Sequence, residues 1–199
     1  MRPSPTVSIE SHAAATLRYI RASMEAAGGT VAVSGSASTT AGIVGLAAAV
    51  IASTSTLRPY WLDVWLWAAL VASVVGGGLM ARQAYMQGFT LFGAPVRKFI
   101  TSFVPGLFAG AVMTLVLIQA GSLNSIPGTW LVLYGCALFA TSVPTSRLVA
   151  ALGSLFVLLG LVTYFLPPTL HTVSLGAGFG GLHLVFGLLL HRRDRDREA

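Results

Sequence analysis

The chain has 199 residues, 55% of them hydrophobic and 9% charged, with a formal net charge of +6 and a mean hydropathy of +0.79; soluble domains average about 25% charged residues. Twelve Lys and Arg with six Asp and Glu cannot cover a water-facing surface, which excludes a soluble globular enzyme, a disordered regulator and a disulfide-stapled secreted module. The basic excess does not point to nucleic acid either, because the cations are scattered singly instead of forming a patch interleaved with aromatic rings.

Residues 1–38 read as a cytoplasmic segment. No short apolar run with a small-residue cleavage site opens the chain, so a signal peptide is not expected. Ile9, Ala13, Leu17, Ile20, Met24 and Ala27 recur at steps of three and four, opposite Arg18, Arg21 and Glu25, which predicts one amphipathic helix. Ser8 is placed to cap its start and Gly28-Gly29 to end it. Its apolar face and its arginines suit the cytoplasmic leaflet with its anionic lipid. Ser34 to Thr40 then reads as a small polar linker.

Residues 39–191 read as six transmembrane helices, since a span takes about 20 mostly apolar residues. They are expected near Thr39 to Leu57, Tyr60 to Ala81, Phe99 to Ala120, Thr129 to Val143, Leu148 to Leu166 and Val173 to His191. Arg58-Pro59, Gly121 through Pro127-Gly128, Pro144 and Pro167-Pro168 supply turn chemistry between them. Lys and Arg number three before the first span, then one, three, none, one and none in the successive loops, and four in the charged tail, 192–199. Alternate sides therefore hold eleven and one, and the positive-inside rule places both termini in the cytoplasm. Tyr60, Trp61, Trp65, Trp67, Trp130 and Tyr164 fall near the outer interface, as amphipathic rings do. Eleven of the twelve cations are Arg, as expected of a GC-rich bacterial genome, so the expected location is a bacterial cytoplasmic membrane.

Small residues let helix backbones approach closely in lipid. The rows Ala41, Gly45, Ala49, Ser53 and Ala69, Ser73, Gly77, Ala81, with Gly106 and Gly110 and with Gly176 and Gly180, are expected to pack helices within the bundle. A 3+3 inverted repeat is raised by short matches, Gly106, Phe108, Gly110 against Ala177, Phe179, Gly181 among them. The run Gly176 to Gly181 is not a phosphate loop, because no strand precedes it.

Polar groups at membrane depth are few. No Lys, Arg, Asp or Glu lies in the central third of any expected span, which disfavours a proton-coupled carrier. His183 is the exception, about 15 Å into the sixth span and on a face with Gly176, Gly180 and Gly187. Two readings stand: a histidine hydrogen-bonded across a helix interface, or one that acts as a ligand, handles a proton or contacts a substrate. Asp63, Gln119, Asn124 and His171 fall near outer helix ends or loops, where they could rim a shallow outward cavity with His183 behind it. Cys136 is a lone thiol in an apolar run and reads as a small hydrophobe. Six spans with a late histidine invite comparison with rhomboid intramembrane proteases, but the fourth span, Leu133-Tyr134-Gly135-Cys136-Ala137-Leu138, lacks the serine motif. A Cys136 and His183 dyad would be the only substitute. One mid-span histidine does not make a haem or metal site, and no catalytic residue, cofactor or metal is expected.

The segments Ser11-His12-Ala13-Ala14-Ala15-Thr16-Leu17-Arg18-Tyr19, Leu133-Tyr134-Gly135-Cys136-Ala137 and Gly178-Phe179-Gly180-Gly181-Leu182-His183 resemble those of an uncharacterised family of small six-span bacterial inner-membrane proteins. That resemblance implies no activity or site. The expectation is an all-α, non-enzymatic membrane component, an accessory subunit, sensor or scaffold whose partner is a second copy or another membrane protein. The alternative is a small-solute channel or carrier with His183 near its pathway.

Overall fold

A computed structural model of the chain describes residues 16–20, 35–86, 93–142 and 147–198. All the regular structure in them is helical. Residues 1–30 form a unit of their own, in which 16–20 are helical. Ser8, Gly28 and Gly29, the expected ends of the amphipathic helix, lie outside the described residues, as does Pro144.

The second unit is a helix bundle. Its elements are α1 (Gly35–Ser53), α2 (Trp61–Met86), α3 (Ala94–Gln119), α4 (Ile126–Ser142), α5 (Arg147–Thr163), α6 (His171–Leu175), a π-helix (Gly176–Leu182) and α7 (His183–Glu198). Arg58–Tyr60, Leu123–Ser125 and Pro168–Leu170 are single 3₁₀ turns that lead into α2, α4 and α6. Among the described residues, five stretches are long and apolar enough to cross a membrane: Gly35–Ser53, Arg58–Met86, Val96–Gln119, Leu123–Ser142 and Pro168–Arg192. Helix α5, with 17 residues, is apolar but shorter.

Two expectations about boundaries are corrected. Gly35 to Thr40 are not linker, because α1 begins at Gly35; Ser34 lies outside the described residues. Thr39 Oγ1 donates to the Gly35 carbonyl of its own helix at 2.9 Å, and Ser38 Oγ donates across to the His183 carbonyl at 2.9 Å. Nor do Pro127 and Gly128 make a turn. They fill the first turn of α4, where a proline's missing N–H costs nothing. The reversal before α4 lies at Gly121, whose φ of +66° is the left-handed conformation that glycine adopts without penalty.

Close glycine contacts show how the helices run. A Cβ on Gly35 would meet Gly187 and His191, one on Gly42 would meet Leu184, and one on Gly45 would sit 2.5 Å from the Phe179 carbonyl, while Gly176 faces Ala49. Residue numbers rise along α1 as they fall along the last helix, so the two are antiparallel and touch almost backbone to backbone. Helices α4 and α5 are locked the same way, Gly135 against Gly153 and Val157, and Gly160 against Val132 and Gly128. Gly106 of α3 meets Ala137 of α4, and Trp130 of α4 donates to Thr114 of α3 at 2.7 Å, again antiparallel. The packing therefore forms two triads, α2 on α1 on the last helix, and α3 on α4 on α5. Consecutive helices α2 and α3 share no packed face among the described residues.

The expected small-residue rows are partly redrawn. The buried row on α1 is Gly35, Ser38, Gly42, Gly45, Ala48 and Ala52; Ser53 is exposed. Gly45, Gly106, Gly176 and Gly180 each approach a neighbouring helix, Gly180 against Leu46. Gly77 and Gly110 do not: a Cβ at either would find nothing within 4 Å. Gly110 instead lends its carbonyl to Thr114 Oγ1 at 2.7 Å.

Candidate functional site

A buried ionisable side chain, His183, 4% exposed, lies at the junction of the π-helix and α7. Gly176, Gly178, Gly180 and Gly181 make four of the seven residues of the π-turn, and this composition tolerates the wider winding. Such single-turn widenings concentrate at functional positions. The wider turn displaces His183 from the face of Gly176, Gly180 and Gly187. Those glycines lie against α1, while the His183 ring turns to α4, with Nε2 2.8 Å from the Tyr134 hydroxyl.

Aromatic rings enclose the pair. Tyr134 contacts Phe103, Phe156 and Phe179 at centroid separations of 5.7, 4.9 and 5.1 Å. His183 lies 5.1 Å from Phe156 and stacks on Phe179 at 6.2 Å. Four of the elements contribute, α3, α4, α5 and the last helix, so the cluster sits where the two triads meet. Its packing is dense, with Phe156, Leu131, Leu152 and Leu175 among the least accessible side chains of the bundle.

Two buried nitrogens there lack a hydrogen bond: His183 Nδ1 and Trp65 Nε1. The backbone of Gly178 and Phe179 lies beside the His183 ring. That placement suits the tautomer in which Tyr134 donates to Nε2 and Nδ1 carries the hydrogen. Trp65 packs on Phe179 at 6.2 Å. It differs from Trp130, whose Nε1 is satisfied by Thr114.

The other expected site residues do not converge on His183. Asp63 and Gln119 are exposed at helix ends. His171 is 7% exposed, not a loop residue; it is the first residue of α6, and its Nε2 lies 3.2 Å from the Leu166 carbonyl, which ties down the turn before it. Asn124 is exposed in the turn before α4, and no hydrogen bond among the described residues joins it to Asp63, Gln119 or His171. Cys136 is exposed rather than buried. It follows Tyr134 by two residues, about 200° around the helix, so a dyad with His183 is not made.

Sequence reasoning missed Tyr134, Phe156, Phe179 and Ser38. Tyr134 carried a readable signal, since it lies mid-span, away from the interfacial rings. No family model, no curated protein and no solved structure matches the chain.

Proposed function

We propose that the chain is a non-enzymatic component of a bacterial cytoplasmic membrane, an accessory subunit, sensor or scaffold that crosses six times and binds another membrane protein or a second copy. The carrying observation is the outer face of α2. Ala69, Ser73, Gly77 and Gly78 are exposed there, with nothing near Gly77 or Gly78, while the interior around His183 is tightly filled. A flat glycine face gains little from lipid and much from another helix backbone.

Six crossings are supported by helix direction. The last helix is antiparallel to α1 and so starts at the end opposite to where α4 stops. Residues 147–166 must bridge that distance, and 17 helical residues rise about 25 Å. In this reading Arg82, Arg97, Lys98, Arg147 and Arg192, all exposed, share the cytoplasmic side with both termini and meet anionic lipid, while Arg58 alone lies outside. The 3+3 inverted repeat gains support from the two triads: exchanging the first three helices with the last three turns α2–α1–last helix into α5–α4–α3.

Purification from native membranes in mild detergent tests the reading. The wild-type chain is expected in an assembly, and Gly77→Leu as a single folded chain; a wild type that runs like the variant contradicts it. The second reading, a small-solute channel or carrier past His183, draws on the π-turn beside that residue. It requires that His183→Ala abolish transport, whereas a structural histidine tolerates His183→Gln.

A further inference from the structure

Helix α2 packs on α1 along one side. Trp65 and Ala84 are its buried residues, with Ala68, Ala72 and Gly76 half-buried on the same side. At about 100° per residue, Asp63, Leu66, Leu70, Ser73 and Gly77 fall on another face, roughly a third of a turn away. They advance by three and four residues in alternation, as the contact seam between two paired helices does. All five are exposed, Leu66 by 45% and Leu70 by 51%.

The polar groups on and beside this seam are unmatched within the chain. Ser73 lies about 18 Å along the helix from Trp61, and its hydroxyl makes no hydrogen bond among the described residues, whereas Ser53, Ser154 and Ser174 each donate to the carbonyl one turn back. Hydrocarbon offers that hydroxyl no acceptor; another helix does. At the outer end Asp63 is exposed, and so is Arg58 in the turn that leads into α2. Neither has an ion pair among the described residues. One charge of each sign at the same end makes the surface complementary to itself. A twofold axis along the membrane normal keeps both copies in the same orientation and sets each residue level with its own counterpart, so that each cation meets the other copy's carboxylate.

We propose that the seam over residues 63–77 of α2 docks a second copy of this chain in a parallel, twofold dimer. Arg58 of each copy pairs with Asp63 of the other, which offsets the repulsion between the two carboxylates. Leu66 and Leu70 pack across the axis, the two Ser73 hydroxyls meet at mid-depth, and Gly77 lets the backbones approach. The proposal rests on the reading of the chain as a membrane component and names the partner as the chain itself.

The test uses the full chain with Cys136→Ala and Glu198→Cys, labelled with donor or acceptor dye, in vesicles of phosphatidylethanolamine and phosphatidylglycerol. Energy transfer is followed against protein density and should saturate. Arg58→Asp and Asp63→Arg should each raise the half-saturating density about fivefold, because both symmetric pairs turn repulsive at once. An equal mixture of the two variants restores both pairs and should return to within about twofold of wild type. In the Cys136→Ala background, Ser73→Cys should crosslink copies on oxidation, and Val75→Cys, 42% exposed at that site but on the far side of the helix, should not. Circular dichroism confirms that each variant is folded. Transfer that rises linearly with density in the wild type, single reversals that behave like wild type, a mixture no better than either variant, or equal crosslinking at the two cysteines overturns the proposal. A wild type that leaves native membranes bound to another protein and not to itself also overturns it while sparing the component reading, which fails only if the chain emerges alone.

Discussion

Gly45→Ala isolates the contact between the first and last helices. A methyl group there would stand 2.5 Å from the carbonyl carbon and oxygen of Phe179 and 2.8 Å from the Gly180 nitrogen. These are backbone atoms, so no side chain can rotate away. Reaching ordinary contact at 3.4 Å or beyond moves α1 off the π-helix by about 0.9 Å, and a gap of that size forfeits about a quarter to a half of the dispersion energy of each facing atom pair. Overpacking of this kind costs about 1–3 kcal/mol, while alanine returns about 1 kcal/mol of helix propensity. The expected net loss is up to about 2 kcal/mol. Gly77→Ala, with open space around its Cβ, keeps the propensity gain and should be neutral or stabilising by up to about 1 kcal/mol. Unfolding of both variants in mixed micelles by sodium dodecyl sulfate, followed by far-ultraviolet circular dichroism, provides the comparison. Equal stability of Gly45→Ala and Gly77→Ala would refute the close packing of the first and last helices.

Tyr134→Phe removes the partner of His183 Nε2 and should destabilise by about 1 kcal/mol, read in the same titration. His183→Ala should cost about 2 kcal/mol or more, because it opens a cavity among Phe156, Phe179 and Tyr134 as well as breaking the hydrogen bond; equal costs for the two variants would mean that the ring is not packed. At Gly121, alanine in a left-handed conformation should cost about 1 kcal/mol, whereas the same change at exposed Gly78 should cost nothing. Trp130→Phe leaves the Thr114 hydroxyl bonded to Gly110 and should lower stability by less than about 1 kcal/mol.

The all-helical class, the apolar helices long enough to span a membrane and the burial of His183 could be read from the sequence, because hydropathy and turn chemistry are local signals. Helix ends were less legible. Ser34 to Thr40 look like linker until the last helix supplies a backbone for Gly35 and Gly42 to pack on, and Pro127 looks like a breaker until its place in a first turn is known. Which glycines pack was legible only in part, since Gly77 and Gly45 sit in similar rows and differ in what lies across from them. The π-turn left no periodic trace beyond its glycines. For that reason His183 was assigned to the glycine face, when one wider turn directs it to Tyr134. Aromatic partners such as Phe156 and Phe179 could not be distinguished from other apolar residues without tertiary contacts.

Thiol labelling of single cysteines in intact cells tests the six-crossing account most directly. In a Cys136→Ala background, cysteines placed at Ser55, Ser122 and Thr169 should all react with a membrane-impermeant maleimide from outside, and one at Glu198 only after lysis. If Thr169 is shielded while Ser122 reacts, α5 does not cross, the tail with its four arginines lies outside, and the account is contradicted.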